Sequence, residues 1–523
     1  MAVRLEDLAP EASDLLERSV AWMDHYWDAA RGLLWGMGEV SDWDGSTHEA
    51  YHIVRESAWY AVGLLVRGRT GDAARAVQAL EAILACQFDE PGKVYHGTFY
   101  RAPEEPHPPE PALEWKHYDP NWREFIITAI AVILSEFEEM LPRPLVDKID
   151  IAMRKAVEGA LSRGLTARYT NIALMQAQML VYAGDRLGER GWIGAGEEMG
   201  REVHRLFELH GAFEEYNSPT YYGTDIYALG LWQAYCSSPE LQQMGAEMEE
   251  ALWRDIAQFY HADLKNVAGP YDRSYGMDMR RYVALLGEWI WLITGREHAP
   301  FPPLDAPLGH AGDFCFGPMV AVRAPRVPAH ARAHFHTFQG ERCVEHLLAG
   351  APPRKATAWL AEQVMIGAEA TSLRDIGQGQ FHPATIHWRV PREAHGDHED
   401  RPYDRDGGWV RLMAVRPVDA VASPYRLAVT SLGPVSFLIA CPAVSGSEGS
   451  QATRVTPDHW HLPGLDVRIE ASAPGVVEDL GEDQILVRYA LHGGGTPRGG
   501  TGFGAGAEDG KAIQIVLDLN VRA

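Results

Sequence analysis

The sequence predicts two unlike parts, an α/α toroid of helical hairpins followed by an antiparallel β-sandwich. Three observations carry this. Apolar residues recur at helical spacing from the start to about residue 300. A Pro- and Gly-rich stretch, PFPPLDAPLGHAGD at 300–313, then reads as a linker. Beyond it the chain breaks into short alternating or β-branched runs separated by turn residues. The expected domains are therefore 1–300 and 314–523.

Leu15, Leu16, Val20, Met23 and Trp27 make the first helical stripe, and Ala74, Val77, Leu80, Ile83 and Leu84 another, after a Gly71-Asp72 start. Phe125, Ile126, Ile130, Ile133 and Phe137 follow, then Met199, Val203, Leu206, Phe207 and His210, then Leu252, Trp253, Ile256, Phe259 and Tyr260. About ten helices without intervening strands suggest a solenoid or a closed toroid, and no fixed repeat period favours the solenoid. Strands are expected in FGPMVAVRA, HFHTF, ATIHWRV, WVRLMAV, YRLAVTS, PVSFLIAC, LDVRIEAS, QILVRYAL and IQIVLDL, with HGGGTPRGGTGFGAGAEDG as a turn-rich separator.

A chain of 523 residues exceeds one ordinary core. Its net charge of −25 argues against nucleic acid or an anionic membrane as partner. An acidic substrate would have to meet a local cluster of Arg, His and amide donors. Cys86, Cys236, Cys315, Cys343 and Cys441 form no CxxC pair, so buried free thiols are expected. The amino terminus lacks an apolar signal core, and no apolar run is long enough to span a membrane. The expected location is cytoplasmic, or secreted if a leader was removed.

Several polar-aromatic constellations fall at helix entrances. GAFEEYNSPTYYGTDIYALG, 211–230, places Asn217, Tyr221 and Tyr222 after a turn, with Thr224 or Asp225 as a cap. The alternative is a capped turn whose tyrosines only pack. GPYDRSYGMDMRR, 269–281, offers Asp272, Arg273, Tyr275 and Arg280, and an Arg fork suits carboxylates. An Asp–Arg pair pinning the loop explains it equally. In TARYTNIALMQAQML, Asn171 opens an apolar helix and either caps it or faces a ligand. EWKHYDPNWREF adds His117, Asp119, Asn121 and Trp122, and HIVRESAWY adds Arg55, Glu56 and Trp59. His334 and His336 in AHFHTF would share one strand face. No Cys or carboxylate completes a metal set around them, so neither metal nor cofactor is expected.

This order of motifs, Asn, then a Tyr-Gly loop, then an Arg loop, then a β half, resembles the α/α-toroid polysaccharide lyases. The chondroitin AC and hyaluronate lyases share that plan, as do the heparinase II/III and alginate lyase groups more loosely. The resemblance implies cleavage of a uronate-containing glycan by β-elimination. It implies catalytic roles for Tyr222 of YYG as the main proton carrier, Asn171 and Arg273 on the carboxylate, and Tyr221 as the other tyrosine. Asn217, His117, Trp122, Tyr275, His334 and His336 would contact substrate. One departure is that the loop before Tyr-Gly reads NSPTYYG, without the His of the chondroitin-type lyases. The base would then be a tyrosine or a His from elsewhere.

A rival is a glycoside hydrolase on the same toroid, its carboxylate pair drawn from Glu214, Glu215, Asp225, Asp119 and Asp272. A mutase or small-molecule lyase on a sugar acid is a third reading. A non-catalytic glycan binder is a fourth, resting on the aromatic loops alone. Glycan identity, endo or exo action and oligomeric state are not set by the sequence.

Overall fold

The computed structural model describes residues 2–37, 51–374, 380–391, 407–414, 417–441, 453–481, 483–491 and 512–522, with two backbone pairs at 41–42 and 47–48. The turn-rich stretch 492–510 lies outside the described residues.

Helices α1 (Pro10–Asp24), α2 (Val54–Arg67), α3 (Asp72–Ala85), α4 (Trp122–Phe137), α5 (Arg143–Arg163) and α6 (Thr170–Leu187) come first. Then come α7 (Arg190–Glu208), α8 (Tyr221–Tyr235), α9 (Pro239–Phe259), α10 (Leu285–Thr294) and the short α11 (Gly317–Ala321) and α12 (Ala333–His336). Their arrangement follows from how apolar each is around its circumference. In α2, α4, α6 and α8 nearly every side chain is buried, so these helices must sit inside. In α3, α5, α7 and α9 one stripe is buried and the rest is polar.

Packing gives α2–α4–α6–α8–α10–α11 and back to α2, a closed inner ring. The amphipathic α3, α5, α7 and α9 lie outside it, each against its inner neighbours. This is the toroid the stripes predict. Because inner and outer helices alternate, the inner ones run in parallel, and their first turns meet at one end. Arg55 of α2 lies over the Trp122 ring of α4, and Leu286 N of α10 donates to Pro219 O just before α8.

Fourteen strands form one antiparallel sheet. Its path runs from Arg454–Thr456 through Leu465–Ala471, Ile513–Val521 and Arg426–Ser431 to Val364–Ala370, then through Ala384–Arg389 and Val435–Ala440 to Gly475–Gly481. Pro353–Ala361 branches from Val364–Ala370 and carries Arg342–Gly350. The expected antiparallel character holds, but the pairing is one continuous path. Its arms approach each other, with Phe437 and Trp460 rings 5.5 Å apart in the second core cluster.

Three local expectations need correction. FGPMVAVRA contains α11 and AHFHTF contains α12, so the fourteen-stranded sheet begins only at Arg342, although short strands such as Leu33–Trp35 and Asn266–Val267 pair among the helices. Gly317-Pro318 starts α11, since Pro is well placed in a first turn, and burial of Met319 and Val320 against the ring supplies the rest. The 300–313 segment is packed rather than free: Phe301 stacks edge-on to Trp291 at 5.2 Å, and Val283 N donates to Gly309 O. Four cysteines are buried free thiols, but Cys343 is exposed on the edge strand Arg342–Gly350.

Candidate active site

The first turns of the inner ring hold buried polar side chains: Glu56, Glu124, Asn171, Asp225 and Glu288, each 4% exposed or less. Helix N-termini favour carboxylates electrostatically, which makes their presence there tolerable. Burial nonetheless raises three of the acids: Glu124 is pushed up to about 7, and Asp225 and Glu288 well above the carboxylate range.

Above this floor, Arg273 is held from three sides. Its Nε donates to Gln380 Oε1 at 3.0 Å, one Nη to Glu215, and Nη2 to the Tyr221 hydroxyl at 2.6 Å. The guanidinium lies 3.8 Å from the Tyr221 ring centroid, and the Tyr221 hydroxyl is 2.5 Å from that of Tyr275. Tyr275 stacks on His310 at 4.2 Å. On the other flank Asn121 Nδ2 donates to the Tyr169 hydroxyl, and Arg163 donates to Asn121 Oδ1. Arg273 and Glu215 also line a cleft of about 550 Å³ with Arg168, Glu214 and Arg354.

The Arg273 loop is set by both parts of the chain. Asn217 takes a left-handed φ of 50° and donates to Ala268 O at 2.7 Å and Pro270 O at 2.8 Å. Ser218 donates to Arg273 O and accepts from Tyr221 N, tying the two loops together. From the sheet side, Tyr271 and His382 exchange backbone hydrogen bonds at 3.1 and 2.8 Å, and Gly269 N donates to Thr385 Oγ1. A Cβ on Gly367 would sit 1.9 Å from Gly269 O, so the strand must carry glycine where the loop crosses it.

Burial pushes the Tyr221 hydroxyl up, with Tyr275 adding to the rise and Arg273 opposing it. Burial likewise raises Glu215 against the pull of Arg273.

Of the sequence candidates, Arg273, Tyr221 and Tyr275 touch one another. Asn171 is adjacent: its backbone amide reaches Glu215, and its Nδ2 is buried with no partner among the described residues. Asn217 pins the loop and points its amide at backbone carbonyls. Tyr222 differs from expectation. Its ring is edge-on to Tyr216, and its buried hydroxyl, 1% exposed, faces the backbone amide of Asn217 rather than Arg273. Consecutive helical residues point about 100° apart, so only one of the pair Tyr221-Tyr222 meets Arg273.

Trp122 packs under Arg55 at 5.2 Å, at the entrance of the neighbouring helix. His117 serves its own turn, accepting from Leu113 N. His334 and His336 lie on α12, not on a strand face, and His334 neighbours Arg342 and His330. Thr224 and Asp225 fall inside α8 rather than capping it. Tyr169 and Arg354 escaped sequence reasoning. Tyr169 stands two residues before Asn171 and shares its helix entrance; Arg354 comes from the sheet, and no local pattern marks it. Among the described residues, no group of three or more His, Cys, Asp or Glu is arranged to hold a metal ion, and no helix is long and apolar enough to cross a membrane.

Residues 13–325 match the model of a family described as Domain of unknown function (DUF8769). The chain belongs to that family. Residues 336–497 match a second description, Domain of unknown function (DUF8770). The DUF8769 segment contains the inner ring and Arg273, whereas Arg354, Gln380 and His382 fall in the DUF8770 segment. Among solved structures, the chain is similar to the chondroitin AC lyase of Streptomyces coelicolor A3 in complex with chondroitin sulphate, at 11% identity and TM-score 0.44. That match covers 98% of this chain and 79% of the other. Heparinase III is similar at 8% identity and TM-score 0.44, covering 98% and 85%. Endoglucanase CelQ from Clostridium thermocellum follows at 10% identity and TM-score 0.28, covering 98% and 92%. Comparison with curated proteins returns no match.

Proposed function

We propose that this protein is a lyase that cleaves a uronate-containing polysaccharide or oligosaccharide by β-elimination, with Tyr221 as its proton carrier. The observation that carries the reading is the guanidinium of Arg273 bound to the Tyr221 hydroxyl beside an open cleft. β-Elimination removes the proton α to a carboxylate and expels the 4-linked oxygen. A free carboxylate makes that proton very weakly acidic, so its charge must be neutralised first. Arg273 and the spare amide of Asn171 are donors for this, and such preorganised donors contribute a few kcal/mol each. Tyr221 as phenolate takes the α-proton, and as phenol returns it to the leaving oxygen, so the enzyme ends as it began. Burial opposes the phenolate that opens this cycle and favours the phenol of the second step; Arg273 is the group that favours the phenolate. Tyr275 and His310 offer aromatic faces beside it, and Trp122 and His117 stand at the next helix entrance.

The hydrolase reading draws on Glu215 and Asp272, which line the cleft and are both raised by burial. Each is held by an arginine, Arg273 and Arg354 respectively, which leaves neither placed as a free acid. Incubation with uronate-containing polysaccharides and oligosaccharides separates the readings. Elimination leaves an unsaturated uronate that absorbs in the ultraviolet, and hydrolysis adds the mass of water instead. Water addition without the unsaturated chromophore would replace the lyase by the hydrolase.

A further inference from the structure

The cleft beside Arg273 holds more cationic groups than one carboxylate requires. Arg168, Arg354 and Arg374 share its wall with Arg273. The carboxylates facing them are of two kinds. Arg354 holds Asp272 at 2.8 Å and Glu369 at 2.7 Å, both nearly inaccessible, and these contacts fix the sheet to the Arg273 loop. Glu214 is different. One of its oxygens pairs with Arg168 and the other lies 3.9 Å from Arg354, with 41% of its side chain exposed. Arg168 is 68% exposed. An ion pair this open to water contributes little and exchanges readily. Glu214 therefore occupies, as part of the chain, a position between two guanidiniums that a planar anion would fill.

We propose that the Arg168–Arg354 side of this cleft is a second anion subsite, which takes a carboxylate or sulfate on the sugar next to the one at Arg273, with Glu214 as its built-in competitor. This rests on the acidic-glycan reading of Arg273. An arriving anion takes the donors of Arg168 and Arg354, and the Glu214 carboxylate swings out to solvent. At about 550 Å³ the cleft has room for a sugar beside the one at Arg273. Glu214 also precedes Glu215, the partner of Arg273, so occupancy of one subsite is felt at the other through a single peptide unit.

The test is equilibrium binding of glucuronate, inorganic sulfate and glucose to the full chain at low salt. Glucuronate and sulfate should bind, glucose should not, and added chloride should weaken both anions. Glu214→Gln should tighten anion binding about fivefold, the scale of an exposed ion pair, and Arg168→Gln should weaken it similarly. Both side chains are exposed enough that the melting temperature should stay unchanged, which separates binding from folding. Unchanged affinity in both variants, or no anion binding at all, overturns the subsite. No turnover enters this measurement. If Glu214→Gln tightens binding while no unsaturated product ever forms, the subsite stands and β-elimination falls. If unsaturated product forms while anion binding ignores both substitutions, β-elimination stands and the subsite falls.

Discussion

The Arg273 guanidinium rests on the face of the Tyr221 ring and donates to that same residue's hydroxyl at 2.6 Å. One side chain thereby both orients the phenol and opposes the rise in its pKa that burial imposes, while Glu215 fixes the guanidinium from behind.

Tyr221→Phe removes only the hydroxyl that Arg273 and Tyr275 share. Turnover of the true substrate should fall at least about 100-fold, the lower range for loss of a general acid–base group, with folding retained. Tyr222→Phe should leave turnover near that of the native protein. Its hydroxyl meets only the Asn217 backbone, so its loss should cost about 1 kcal/mol of stability. Steady-state rates and thermal melts of the two variants check this, and the reverse ranking would return the role to Tyr222.

Arg273→Ala should weaken both binding and rate, because the carboxylate is bound in ground and transition states alike. It also leaves Glu215 buried without its cation. Burial already raises Glu215, and without Arg273 that rise is unopposed. An acid whose folded pKa is raised favours the folded state while protonated and penalises it once pH passes the unfolded value. The variant should therefore lose stability relative to the native protein as pH rises above the ordinary carboxylate range. Melting temperatures across that rise would show it, and a constant difference would count against it.

His346 lies on the first sheet strand, with Nδ1 2.7 Å from Asp255 of α9 and Nε2 2.7 Å from His210 O. Burial works against its charge, but Asp255 and the carbonyl outweigh burial and raise it. A raised folded pKa gives stability that is complete below the ordinary histidine value and is lost as pH climbs through the shifted one. His346→Gln should remove that slope near neutral pH. Urea unfolding at several pH values in both proteins measures it.

Gly367→Ala pushes a methyl group into the Gly269 backbone, with no side chain able to yield. The strand or the Arg273 loop must shift. The expected result is destabilisation of about 2 kcal/mol or more, with binding of an acidic sugar weakened beyond what stability explains. Denaturant melts and binding titrations together test this; full affinity in a folded variant would show the loop does not depend on the strand.

The fold was legible where one local signal dominates. The stripe Phe125, Ile126, Ile130, Ile133 and Phe137 marked α4, and YRLAVTS, PVSFLIAC and QILVRYAL marked sheet strands. Arg342–Gly350 and Gly475–Gly481 were not recognised, because their side chains alternate between half-buried and exposed and carry few apolar residues at regular spacing. FGPMVAVRA and AHFHTF misled, since β-branched and aromatic residues in a short run fit a buried helix turn as well as a strand. At the site, Arg273 and Tyr221 were visible as residue types at a helix entrance. Which of Tyr221 and Tyr222 meets Arg273 was not, because it depends on the rotation of α8, which tertiary packing sets. Arg354 was hidden for another reason. It reaches Asp272 from 82 residues away, and no local pattern spans that interval.

The reciprocal backbone bonds between Tyr271 and His382 tie the heredity of the two matched segments together. A main-chain bond has no side chain to mutate, so drift in either partner cannot loosen it by substitution; only a change of register or loop length can. Recombination that exchanged the sheet for one equally stable but shifted by one residue would yield a folded protein whose guanidinium is aimed elsewhere. The chimera would pass every test of folding and no longer hold Arg273 against Tyr221. The two segments should accordingly be transferred, shortened or engineered as one piece, with insertions confined to turns outside 269–274 and 380–385.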